Sequence, residues 1–79
     1  MVYPLHEINP GDTALVVWVI SEPPMASRLD SLGFTAREPV TCVIKGRKGA
    51  MSAYEVKGRI IALRAATTKE VLVKVVEPS

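Results

Sequence analysis

Apolar positions change their period along this chain, and the changes mark its elements. From Thr13 to Ile20 the run is β-branched and apolar almost without a break, the pattern of a strand contacted on both faces or sealed by a partner. Met25, Leu29 and Leu32 then stand at i, i+4 and i+7 and share one face of a helix, while Ser27, Asp30 and Ser31 point away. Pro23 and Pro24 fit only the first turn of such a helix, where backbone N–H groups lack intrahelical partners, so it begins near Pro24. Gly33 supplies a left-handed residue that stops it, and Phe34 falls where a Schellman stop sets an apolar residue against Leu29. Met25 to Phe34 is therefore one short amphipathic helix in a chain that otherwise reads as strands.

Alternation returns after Pro39, which opens a second strand: Val40, Cys42 and Ile44 alternate with Thr41, Val43 and Lys45. The polar cluster Gly46-Arg47-Lys48-Gly49 turns the chain back into a third strand, Met51 to Lys57. Lys57-Gly58 fits a two-residue hairpin loop into a fourth, Arg59 to Arg64, and Val71 to Val76 forms a fifth. Five short strands with one inserted helix predict a mainly β fold, a small barrel, because closure removes most exposed strand edges. In the last strand Val71, Val73 and Val75 face inward and Lys74 outward, which leaves Leu72 and Val76 outside beside an edge. That edge is the expected place for strand pairing with a partner or for a homo-oligomer.

Four signals stand in a particular order: Gly11 before a strand, Arg28-Leu29-x-x-Leu32-Gly33-Phe34, Tyr54-x-Val56-x-Gly58, and Ile61-Ala62-Leu63-Arg64 before a last strand. In that order and at nearly the usual spacings, across about the whole chain, they resemble the ferrous iron transport protein A (FeoA) family. The resemblance implies a single domain over residues 1–79, a five-stranded SH3-like barrel in the cytoplasm that assists bacterial ferrous iron uptake. It implies as partner a membrane ferrous-iron transporter that carries a GTP-binding domain, with any membrane contact made only through that transporter. Two departures stand out. Ala36-Arg37 occupies the place of the family's Pro-Gly turn, and Ala65-Ala66-Thr67-Thr68 replaces a segment in which the family often carries an acidic pair. The same barrel resembles the carboxy-terminal domain of iron-dependent repressors, so a regulatory or nucleic-acid-binding module is the rival reading. No helix-turn-helix precedes the barrel in this sequence.

Composition narrows the chemistry. The chain has 79 residues, enough for one domain with one thin core, since only about 60% of the unfolded surface is buried at this size. Ten Lys and Arg against eight Asp and Glu leave a net charge of +2, which selects no class of partner by itself. One cysteine forbids an internal disulfide and points to a reducing compartment. The start, Met1-Val-Tyr-Pro-Leu-His-Glu, has no basic region followed by an apolar one, so a soluble, unexported protein is expected.

One histidine, one cysteine and no close pair of carboxylates in an apolar setting predict neither an enzyme nor a resident cofactor. Cys42, mid-strand, reads as a buried structural thiol, and with His6 it lacks the three convergent donors that a metal needs. Arg28 and Arg64 invite comparison with an arginine finger that stabilises phosphoryl charge, but capping carbonyls or pairing with a surface acid is the simpler role. The basic turn from Lys45 to Lys48 reads as a solvated hairpin tip; the scattered aromatics Tyr3, Trp18, Phe34 and Tyr54 give no stacking platform, so no nucleic-acid partner is expected. The expected working surface is the helix and its approach, Ser21 to Phe34, with Met25, Arg28, Leu29, Leu32 and Phe34 as the partner-binding residues and the adjacent barrel edge beside them. Leu29 and Leu32 also serve the core, which leaves Met25 and Arg28 as the principal contacts.

Overall fold

The computed structural model describes residues 1–47 and 50–75. Six antiparallel strands form one sheet: β1 (Tyr3–Pro4), β2 (Thr13–Val19), β3 (Pro39–Ile44), β4 (Ser52–Val56), β5 (Arg59–Leu63) and β6 (Val71–Val75), in the order β1-β6-β2-β3-β4-β5. The helix α1 (Pro23–Leu32) joins β2 to β3, and a one-turn helix α2 (Ala65–Thr68) joins β5 to β6. The fold is mainly β, as expected, with two additions. β1 pairs Tyr3 with Val73 and Pro4 with Leu72, and α2 buries Thr68, whose hydroxyl donates to the Ala65 carbonyl at 3.1 Å.

The strand β1 changes which edge is bare. With β1 on one side and β2 on the other, β6 is an interior strand, and Leu72 is half-buried against Pro4 instead of standing beside an edge. Val76 lies outside the described residues, as do Lys48 and Gly49 of the predicted turn. The sheet's outer strands are β1 and β5, which do not pair with each other among the described residues.

One core fills the concave side of the sheet. Val16 of β2, Val40 and Cys42 of β3, Tyr54 and Val56 of β4, and Val71 and Val73 of β6 are all at most 2% exposed. Leu29 and Phe34 close it from the α1 side and Leu5 and Ile8 from the chain's start. Two bulges interrupt the alternation. The register of β2 on β6 shifts between Val16 and Trp18, and Val17, Trp18 and Ile20 lie exposed, so one face of this continuous apolar run is bare and not contacted on both sides. The register of β3 on β4 shifts between Cys42 and Ile44, which turns Ile44 outward although simple alternation places it with Val40 and Cys42.

Both predicted turns next to α1 form. Gly33, at φ 108°, ends the helix with its N–H on the Asp30 carbonyl at 3.0 Å and the Phe34 N–H on the Leu29 carbonyl at 2.9 Å, the two bonds of a Schellman stop. Lys57 and Gly58, at φ 51° and 75°, make the type I′ loop of the β4–β5 hairpin. The departure at Ala36-Arg37 also resolves: the Glu38 N–H bonds the Thr35 carbonyl at 3.0 Å with Arg37 at φ 70°, a type II turn whose left-handed position is filled by arginine.

Candidate functional site

Two local rules bring α1 and β5 together. The two-residue hairpin returns the chain beside β4 and leaves β5 as an outer strand, while the stop at Gly33 turns the end of α1 towards the same hairpin. The Arg59 guanidinium, at the start of β5, donates to the Leu32 carbonyl at 3.2 Å and ties the end of the helix to the strand. An ideal Cβ on Gly33 would stand 3.2 Å from Lys57 Cδ and 3.3 Å from Val56 Cγ2, so helix stop and hairpin are packed against each other.

Between α1 and β5 lies a groove of about 580 Å³, walled on one side by Met25, Arg28 and Leu32, with the fully buried Leu29 behind them, and on the other by Ile60, Ile61, Ala62 and Leu63. Met51, Arg64 and Thr67 complete its rim. The lining is apolar apart from Thr67 and the two arginines, and it holds no carboxylate. Among the described residues neither arginine has an ion-pair partner; the one salt bridge there joins Lys57 to Glu38 at 2.9 Å.

The expected partner-binding residues divide by depth. Met25 and Arg28 are exposed at the mouth of the groove and Leu32 is half-buried on its wall. Leu29 and Phe34, at 0% and 2% exposure, belong to the core and hold the helix in place, leaving no surface for a partner to touch. Sequence reasoning missed Ile60, Ala62 and Met51 as lining residues. Ile60, 59% exposed, breaks the alternation that Ile61 and Leu63 set, and two apolar parities side by side in Ile60-Ile61-Ala62-Leu63 were the available signal.

The other candidate side chains lie elsewhere. Cys42 is buried opposite Tyr54 in the β3–β4 pair, and burial pushes its thiol above its usual range, with Lys45 opposing and Asp12 adding to the effect. Burial likewise raises the Tyr54 phenol; Ser52 partly offsets this, although the hydroxyl reaches no partner in hydrogen-bonding geometry among the described residues. A thiol held protonated is a poor nucleophile and a poor ligand. Among the described residues no three His, Cys, Asp or Glu side chains converge to hold a metal ion, and no helix is long and apolar enough to cross a membrane. Arg64 stands exposed at the N-terminus of α2.

Known structures share this architecture. FeoA from Stenotrophomonas maltophilia, solved with zinc and described as a prokaryotic SH3 domain protein, is 32% identical, with 94% of this chain and 89% of that chain covered and a TM-score of 0.79. An iron uptake regulatory protein, also FeoA, is 25% identical over 96% of this chain and 99% of that one, with a TM-score of 0.84. A manganese-dependent transcriptional repressor shares the fold at a TM-score of 0.85, with 16% identity over 95% of this chain but 42% of its own. No curated protein sequence matches the chain. Residues 3–75 match the FeoA domain, the SH3-like barrel agrees with that match, and the chain belongs to the FeoA family of ferrous iron transport.

Proposed function

We propose that this chain, a single domain over residues 1–79, is a non-enzymatic accessory protein of bacterial ferrous iron uptake. It works in the cytoplasm by direct contact with the membrane ferrous-iron transporter that carries a GTP-binding domain, and reaches the membrane only through that partner. It carries no resident cofactor and takes no nucleic acid. The reading is carried by one observation. Helix α1 and the stop after it commit Leu29 and Phe34 to the core yet leave Met25 and Arg28 at the mouth of an apolar groove. Leu32 lines that groove, so Met25, Arg28 and Leu32 form the contact face while Leu29 and Phe34 hold it rigid. A cationic side chain at the rim of an apolar patch is a common anchor in protein interfaces. The repressor likeness, at 16% identity, carries the fold alone.

The test is Arg28→Glu. The side chain is exposed and without an ion-pair partner among the described residues, so the melting temperature is expected to stay within a few degrees of the wild type. Binding to the purified transporter is expected to fall at least tenfold, and ferrous uptake in a complemented deletion strain with it. A folded variant that binds and supports uptake normally refutes the reading.

A further inference from the structure

The two outer strands of the sheet are treated differently. β1 is two residues long and contains Pro4, two of the usual means by which a bare edge is kept from recruiting other chains. β5 has none of these protections: five residues, Arg59–Leu63, in unbroken register with β4, with no proline, no bulge and no charge between Ile60 and Leu63.

The backbone groups on its open side follow from the register. The two-residue loop makes Val56 and Arg59 a hydrogen-bonded pair, so Tyr54 with Ile61 and Ser52 with Leu63 are bonded as well, by the alternation of antiparallel ladders. Ile60 and Ala62 are the non-bonded positions, and their N–H and C=O groups point away from β4. The groove lies against this side: four consecutive β5 residues, Ile60 to Leu63, line it, which a cleft over one face of the strand alone would not give.

We propose that this edge takes up an extended segment of the partner protein as a seventh strand, apolar in its middle and acidic at its ends. The inference rests on the reading of the chain as an interaction module and names what the groove receives. The backbone of Ile60 and Ala62 supplies the ladder, and the apolar walls receive alternate side chains. Carboxylates at the ends of the segment answer Arg59 and Arg64 at the two ends of β5 and Arg28 across the groove. The same charges argue against a second copy of this chain, because antiparallel pairing of two β5 strands through Ile60 and Ala62 sets Arg64 of one copy opposite Gly58 of the other, one position from its Arg59, and gathers like charges at both ends.

Ala62→Pro tests this, since proline removes the outward-facing N–H at that position and no β4 hydrogen bond, and edge strands accept proline there. Ala62→Val keeps the N–H and controls for side-chain size. The probe is a fluorescein-labelled ten-residue peptide in which Val and Thr alternate between terminal pairs of glutamates, compared with a twin ending in lysines. The glutamate peptide is expected to bind at least tenfold more tightly than its twin, to protect the Ile60 and Ala62 amides from hydrogen exchange, and to lose at least tenfold on Ala62→Pro but not on Ala62→Val. Equal binding by folded Ala62→Pro, or equal binding of both peptides, overturns the proposal. Dimerisation of the wild type that Ala62→Pro abolishes overturns the choice of occupant. The purified transporter separates the two readings. If it binds the wild type and folded Ala62→Pro alike, the edge fails and the transporter contact stands; if it binds neither while the peptide behaves as expected, the transporter contact fails and the edge stands.

Discussion

Gly33 and Gly58 offer a measurement in which one backbone cost appears twice and one packing cost once. Both residues are left-handed, at φ 108° and 75°, but an ideal Cβ on Gly58 meets nothing within 4 Å, whereas one on Gly33 stands 3.2 Å from Lys57 Cδ and 3.3 Å from Val56 Cγ2. A left-handed alanine costs about 1–2 kcal/mol, and the stiffer unfolded chain returns about 0.4–1 kcal/mol of that. Gly58→Ala is therefore expected to destabilise by about 1 kcal/mol. Gly33→Ala adds crowding. Val56 is core, 1% exposed, and Lys57 is held by its 2.9 Å bridge to Glu38, so neither neighbour yields freely. At the low end of about 1–3 kcal/mol for overpacking, the total becomes about 2 kcal/mol. In a domain of this size each kcal/mol moves the melting temperature by about 4–8 °C, so thermal and urea unfolding both resolve the difference. Equal costs for the two substitutions refute the claim that α1 is packed onto the hairpin through Gly33.

Other outcomes follow from the same geometry. Leu29→Ala, at a fully buried position, is expected to cost about 2–5 kcal/mol by urea unfolding, a large share of a stability of about 4–12 kcal/mol for this length; a cost below about 1 kcal/mol would remove Leu29 from the core. Arg37→Gly, at φ 70°, is expected to stabilise by about 1 kcal/mol, and a destabilised variant would show that the arginine side chain contributes more than its backbone strain costs. The Cys42 thiol and the Tyr54 phenol are raised above 9.0 and 10.0, so the folded state keeps protons that the unfolded state releases. Their contribution is complete below about pH 9 and is lost as pH rises through the folded values. The upper part of that loss is expected to vanish in Tyr54→Phe, which also removes a buried hydroxyl without a partner among the described residues; a Tyr54→Phe profile identical to the wild type would refute the assignment.

The elements legible in the sequence are those set by local chemistry. Pro23 and Pro24, the i, i+4, i+7 stripe and Gly33 define α1 within one or two residues, and Lys57-Gly58 defines a hairpin, because each rule acts over fewer than ten residues. β1 and α2 carried no such signal. Two residues that include a proline do not alternate, and Ala65-Ala66-Thr67-Thr68 has no apolar period; both are fixed by what they pack against. β1 matters to the site because without it β6 is an edge as well, whereas with it β6 is interior and β5, outer in either case, is the long strand left at an edge. The predicted contact residues suffered the same limit. A helical stripe reveals a buried face without saying which of its members, Leu29 or Met25, lies deep enough to be lost to a partner.

The width of the groove is set at one end by a single hairpin turn. Val56 and Lys57 abut Gly33 where α1 stops, and Arg59, two residues further on, bonds the last helical carbonyl while beginning β5. The two walls thus hang from adjacent residues, and a displacement of the helix stop moves one wall relative to the other. The open side of β5 is untouched by this coupling, since the outward groups of Ile60 and Ala62 depend only on the register with β4. Gly33→Ala should accordingly weaken a partner held between both walls while leaving the strand's ladder positions intact. Ala62→Pro should do the reverse, removing a ladder bond from a groove of unchanged width. The two substitutions act on different parts of one site, so their effects on binding should combine with little coupling if an added strand is held mainly by its backbone. They should couple strongly if its side chains must seat against α1 before the ladder can close.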